Sequence, residues 1–244
     1  KLPEHFANFG ARAPFINNSV ATLGRVLFYD KKLSANNTVS CASCHLQERA
    51  FADPVAKSKG FEGELTGRNS FALGAVLNPI PTYYGSFSSI VPGILFWDNS
   101  VNTVAEQINQ TLSNPIEMGM NMPELIDRLE EQEKYRILFD KTYHQDEITE
   151  FMITDALEQF MHSMSSFQSK FDDGLAAISQ LNAFPDFPNF TAKENLGKQL
   201  FNNNCASCHG SAQIRTTKVV ANNGLDMVYE DKGVGLLDND SNLY

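Results

Sequence analysis

The chain has 244 residues, 42% of them hydrophobic, and a formal net charge of −10. That length and apolar content suffice for one large core or two small ones. The acidity argues against a nucleic-acid partner, and no stretch reads as a transmembrane helix.

The first patterned segment is Leu23-Gly24-Arg25-Val26-Leu27-Phe28. Leu and Phe at i, i+4 and i+5 lay an apolar stripe along one side of a short helix. A loop rich in Asn and Ser, Tyr29 to Ser40, leads into Cys41-Ala42-Ser43-Cys44-His45. The run from Asn69 to Trp97 carries no charge, but Pro79, Pro81 and Pro92 break it, so it reads as packed loop. Pro123 opens a helix toward Tyr143, with Pro in the first turn and Asn121 as its cap. A second helix is expected over Ile148 to Phe171, where Phe151, Leu157, Phe160, Met164 and Phe167 fall near helical spacing. Asp172-Asp173-Gly174 is expected to stop it.

From Glu117 to Glu158 the chain carries twelve acidic and four basic residues. Such a block is the solvated face of helices or a docking field for a basic partner. Asn182 to Thr191 reads as a linker, and Thr191 caps the helix of Leu196-Gly197-Lys198-Gln199-Leu200-Phe201. That hexapeptide echoes the first one. Cys205-Ala206-Ser207-Cys208-His209 then repeats the earlier pentapeptide without change. No convincing strand appears. The expected fold is mostly α, with two related cytochrome c-like modules in tandem, residues 1–181 and 182–244.

A C-x-x-C-H run is the attachment signature of c-type haem. Its two thiols add across the haem vinyl groups, and the histidine directly behind them is carried to the iron as an axial ligand. The two runs consume all four cysteines. A zinc site built from two such halves places them roughly 15–20 residues apart, whereas Cys44 and Cys205 stand 161 positions apart. A thioredoxin-like pair does not need the histidine, and four cysteines are few for a disulfide framework in a chain this long. The expected cofactors are two covalently bound haems c, held by Cys41, Cys44 and His45 and by Cys205, Cys208 and His209. Covalent haem attachment normally takes place outside the cytoplasm. A periplasmic location is therefore expected, with a signal peptide removed before Lys1.

With Leu-Gly-Arg-x-Leu-Phe before the first site, the chain carries Phe51-Ala52-Asp53, Gly67-Arg68-Asn69, Phe96-Trp97-Asp98, Gln107, Asn114-Pro115-Ile116-Glu117-Met118-Gly119 and Ala221-Asn222-Asn223-Gly224-Leu225. In these ordered motifs it resembles the bacterial dihaem cytochrome c peroxidases and the related MauG-type enzymes. The resemblance implies that the first module is peroxidatic and the second transfers electrons. It also implies that Glu117 is the distal acid and Gln107 its amide partner. Without the family match, Glu117 reads as a surface or capping carboxylate, and Trp97, the only tryptophan, as a core residue. In the family, the residue at the Trp97 position helps electrons pass between the haems, and Asn69 matches a ligand of a calcium site. Hydrogen peroxide is the implied substrate and a small cytochrome c or cupredoxin the implied donor. A homodimer is the implied assembly.

The chain departs from the family pattern at two points. Many relatives place a distal histidine where this chain has Phe61, so an open first iron is expected even in the fully oxidised state. In relatives a methionine, or a tyrosine in MauG-type enzymes, completes the second iron, and that ligand is expected beyond Tyr244. Met227 as a substitute, and His5, His144 and His162 as ligands, are weaker readings than ordinary core or surface side chains. The alternatives to a peroxidase are a MauG-type enzyme acting on a protein or organic substrate, and a plain dihaem electron carrier.

Overall fold

A computed structural model describes residues 15–74, 95–98, 100, 101, 103–164, 168–178, 185–209, 231 and 233. Contacts divide the chain into two compact units, one of Pro14–Phe96 with Val101–Ser165, the other of Ser166–Tyr244 with Lys1–Ala13 and Trp97–Ser100. Among the described residues there are helices and isolated bridges, Leu46–Ala52, Lys59–Leu65 and Leu95–Val101, but no strand. None of the described helices is long and apolar enough to cross a membrane.

In the first unit, α1 (Asn18–Tyr29) starts where the Asn17 side chain accepts the Ser19 and Val20 N–H groups. Its stripe of Val20, Leu23, Leu27 and Phe28 is buried as the spacing predicts. Asp30 ends α1 and caps a 3₁₀ turn, Lys31–Leu33, by accepting from the Lys32 N–H. The Asp30 carboxylate also accepts from the Tyr135 hydroxyl. Burial pushes the Asp30 carboxyl up, but the Tyr135 hydroxyl, the Lys32 N–H and the Lys134 ammonium outweigh it and hold the group below its ordinary value. The short helix α2 (Cys41–Cys44) comes next.

The remaining helices of this unit are α3 (Val104–Ser113), α4 (Met122–Glu130), α5 (Glu133–Tyr143) and α6 (Glu150–Ser163). Thr103 and Glu106 form a capping box on α3, and Asn121 caps α4 with Pro in its first turn, as expected. The single helix expected from Pro123 to Tyr143 is two. Gln132 turns extended between them and starts α5. The break lets Leu125 and Leu129 on α4, and Tyr135 and Phe139 on α5, enter one core from different axes.

Helix α6 ends at Ser163, short of the expected Phe171, and Phe151 is 70% exposed rather than part of the buried stripe. Phe167 lies outside the described residues. Helix α6 runs along α1 at close range. A Cβ placed on Gly24 meets the Ala156 carbonyl oxygen at 1.8 Å, so only glycine permits this approach.

In the second unit, Ser169 and Asp172 form a capping box on α7 (Lys170–Ala176). Asp172-Asp173-Gly174 therefore lies inside a helix instead of stopping one. Gly174 is needed there because a Cβ would lie 2.3 Å from the Phe187 ring. Phe187 is 1% exposed. Its ring centroid lies 5.2 Å from that of Phe171 and 5.1 Å from that of Phe190. The Asn195 side chain accepts from the Phe187 N–H at 2.8 Å and donates to its carbonyl at 3.2 Å. The described part of the expected linker is thus core, and its aromatic rings tie α7 to the second unit rather than the first. Thr191 and Glu194 box the start of α8 (Ala192–Asn204), and α9 (Ala206–His209) completes the second pentapeptide.

Candidate haem and peroxide site

The first C-x-x-C-H segment folds as one helical turn, with Ser43 Oγ accepting from the Ser40 N–H at 3.0 Å. Beyond it the chain doubles back. Ala50 and Phe51 both adopt left-handed backbone, at φ 55° and 60°, a conformation that costs free energy for residues other than glycine. The Phe51 N–H donates to the Leu46 carbonyl at 2.8 Å. The outcome is that the Phe51 carbonyl reaches His45 Nδ1 at 2.9 Å, with the Phe71 carbonyl at 3.0 Å.

Since both neighbours are acceptors, Nδ1 carries the proton and Nε2 keeps its lone pair. That is the tautomer a haem ligand needs. Burial pushes the His45 imidazole below its ordinary pKa, against the two carbonyls and Asp53. The ring therefore stays neutral. Burial also pushes the Cys41 thiol up to about 12 and raises Cys44. All four cysteines are free.

The second segment repeats one feature of this frame, the packing of a phenylalanine ring beside the histidine. The Phe28 and His45 ring centroids are 6.5 Å apart with planes at 44°, and those of Phe201 and His209 are 6.5 Å apart at 45°. Sixteen residues lie between the first pair and seven between the second, yet the rings meet in the same way. Leu23, Leu27 and Phe28 are 3%, 0% and 1% exposed, whereas Leu196, Leu200 and Phe201 are 55%, 53% and 41% exposed. An exposed apolar stripe beside paired thiols and an imidazole fits a large flat apolar group. In both segments the donor set suits covalent haem.

Glu117 lies on the turn after α3, the helix that carries Gln107. Asn114 Oδ1 accepts from the Ile116 N–H at 2.9 Å and the Glu117 N–H at 3.3 Å. Gly119, at φ 63°, closes the turn by donating to the Asn114 carbonyl at 2.9 Å. Burial raises the half-buried Glu117 carboxyl, and the Thr111 hydroxyl opposes the shift. Thr111 and Gln107 stand one turn apart on the same face of α3.

Besides burial, Asp53 and, more weakly, Glu117 push the Cys44 thiol up, so both carboxylates act within electrostatic range of the first pentapeptide. The Phe61 loop is locked to the Glu117 turn. Its N–H donates to the Glu117 carbonyl at 3.1 Å, and its ring lies where a Cβ on Gly119 would stand, 2.4 Å away. Gly60 permits the contact, since a Cβ there would sit 1.5 Å from the Ile116 carbonyl oxygen.

The other expected site residues are placed less tightly. Trp97 is 51% exposed, so it is no core residue. The Asn69 amide donates to the Val55 carbonyl at 2.8 Å, and among the described residues no three His, Cys, Asp or Glu side chains gather as a metal site. His144 ends α5 in left-handed backbone, and His162 is buried on α6 beside Glu158. Met227, His5 and the segment Ala221–Leu225 lie outside the described residues. Sequence reasoning missed Thr111, whose position four residues after Gln107 was the available signal. It also missed the Phe51 and Phe71 carbonyls, which no side-chain pattern announces.

A family model described as di-haem cytochrome c peroxidase matches residues 18–179. The chain is 33% identical over 192 residues to a cytochrome c peroxidase of Escherichia coli (strain K12), covering 77% of this chain and 36% of that protein. It is 29% identical over 191 residues to the methylamine utilization protein MauG of Methylophilus methylotrophus, covering 78% and 52%. A crystal structure of a MauG-like protein associated with microbial copper homeostasis superposes with a TM-score of 0.70 at 28% identity, covering 93% of this chain and 67% of that one. The chain thus spans about half, or less, of the length of the two curated relatives.

Proposed function

The chain belongs to the di-haem cytochrome c peroxidase family, and from that premise we propose that it is an oxidoreductase that reduces hydrogen peroxide to two waters. One haem c would be held by Cys41, Cys44 and His45, the other by Cys205, Cys208 and His209. Bound at the first segment, the haem would supply the redox iron for O–O cleavage, with the two electrons furnished in the end by the donor protein. The protein's part is proton management. The Glu117 carboxylate takes the proton from one peroxide oxygen and returns it to the other, which departs as water.

A carboxyl raised by burial suits that exchange, because acceptor and donor forms are then closer in free energy near neutral pH. Gln107, on the α3 face shared with Thr111, is positioned in this reading to hydrogen-bond the peroxide. The observation that carries the proposal is the Glu117 turn itself, held by Asn114 and bonded to the Phe61 loop, with a half-buried carboxylate whose pKa burial raises.

Electrons arrive singly in this reading from a small cytochrome c or cupredoxin at the second module, with the half-exposed Trp97 on their route inward. Phe61 stands where many relatives carry a histidine, so the first haem, when bound, would accept peroxide without prior reduction. A calcium ion at Asn69, a periplasmic location and a homodimer complete the proposal. Phe61 and the likeness to MauG also favour a second reading, in which the oxidising equivalents go to a protein or organic substrate.

Turnover decides between them. The haem-loaded protein, given peroxide and a reduced small cytochrome c or cupredoxin, is expected to oxidise two donors per peroxide. Peroxide consumption that requires an organic co-substrate and ignores both donors would favour the second reading. No peroxide consumption at all would leave an electron carrier.

A further inference from the structure

We propose that Arg128 is a positioning residue for Glu117, acting through the loop that precedes the first haem segment; this rests on the reading of Glu117 given under Proposed function. The first module carries twelve residues between Phe28 and Cys41 where the second carries three between Phe201 and Cys205. The extra loop is gripped by one guanidinium. Arg128 Nη1 donates to the carbonyls of Lys32 at 3.0 Å and Ser34 at 2.7 Å and to Asn37 Oδ1 at 3.2 Å. Nη2 donates to the Ala35 carbonyl at 3.0 Å and to Glu124 Oε1 at 2.9 Å. Only a planar fork, with two N–H groups on each Nη, serves so many acceptors at once. A lysine is a point charge on a flexible stem.

The loop's own hydrogen bonds make the clamp functional. The Ala35 N–H donates to the Met118 carbonyl at 2.9 Å, next to Glu117. Asn36 Nδ2 and Thr38 Oγ1 donate to the Phe61 carbonyl at 2.8 and 2.9 Å. The Phe61 N–H in turn donates to the Glu117 carbonyl. Ser34 Oγ meanwhile accepts from the N–H groups of Thr38 and Val39 at 3.1 and 3.2 Å, fixing the approach to Cys41. Arg128 therefore sets, through one loop, both the backbone that carries the distal carboxylate and the backbone entering the haem attachment turn.

The test uses the haem-loaded full chain, with peroxide and a reduced small cytochrome c. Arg128→Lys is expected to lower kcat about tenfold while the KM for peroxide moves less than about twofold, since alignment of Glu117 matters only while the proton moves. In a Glu117→Gln background the same substitution is expected to cost less than about twofold more, because the group it positions is gone. Amide hydrogen exchange at Ala35 and Phe61 should accelerate about tenfold, with Ile153 in α6 unchanged. Combining Asn36→Ala with Thr38→Val, which spares Arg128, should reproduce the kcat loss. A tenfold loss that persists undiminished in the Glu117→Gln background, or unchanged exchange at Ala35 and Phe61, overturns the clamp alone. Full activity in Glu117→Gln itself overturns the reading of Glu117 and the clamp with it.

Discussion

Glu117→Gln is expected to lower kcat for peroxide reduction by about 10²–10⁴-fold, the range lost with a general acid–base group. The change keeps the shape of the side chain, and the turn beneath it is held by backbone and by Asn114, so the fold should not respond. What is lost is the ability to take a proton and return it. The pH profile gives a second readout. Burial raises the Glu117 pKa above its ordinary 4.5, so the proton-accepting carboxylate form disappears as pH falls through that raised value. The parent should therefore lose activity on the acid side earlier than an exposed carboxylate would allow, and the glutamine variant should lack this limb. Reduction of the second centre by the donor should be unaffected. A glutamine variant within about threefold of the parent would mean that the proton travels by another group.

Gly24→Ala should have the largest effect on the fold. In an exposed helix, alanine would gain about 1 kcal/mol over glycine. Here the added carbon would stand 1.8 Å from the Ala156 oxygen, 2.5 Å from its carbon and 2.9 Å from Phe160 Cβ. Backbone cannot step aside as a side-chain tip can, so α1 and α6 must separate and loosen Leu27, Phe28 and Phe160. A net loss of about 2–3 kcal/mol is expected, which for a chain of this size lowers Tm by about 5–10 °C. The displacement also moves Phe28, the ring that meets His45. Gly197 holds the same place in the echoed hexapeptide, yet a Cβ there meets nothing within 4 Å. Gly197→Ala is expected to be neutral or slightly stabilising. Thermal unfolding of the two variants measures the contrast, and equal shifts would contradict it.

The same pair shows how far the sequence could be read. Leu23, Leu27 and Phe28 announce their buried face because helical periodicity is local, and Asn121 and Thr191 announce caps for the same reason. The haem segments are legible because covalent attachment fixes the spacing of Cys, Cys and His. Tertiary facts are not legible in this way. The break at Gln132 and the end of α6 depend on which faces meet, and Phe187 joins a core only once Phe171 and Asn195 surround it. The supports of the site are the least visible, because they run through backbone. His45 is oriented by two carbonyls, and the acceptors of Arg128 lie 91 to 96 residues upstream of it, apart from Glu124. Glu117 and Gln107 came from the family resemblance, since a lone carboxylate has no signature of its own.

An open iron on the Glu117 side of the first haem is the claim on which the catalytic account turns. The electron paramagnetic resonance spectrum of the haem-loaded protein, fully oxidised and never reduced, measures this directly. The account predicts a high-spin ferric signal from the first haem that changes on addition of fluoride or azide. A spectrum that is wholly low-spin and indifferent to both anions would mean that a protein side chain already closes that face.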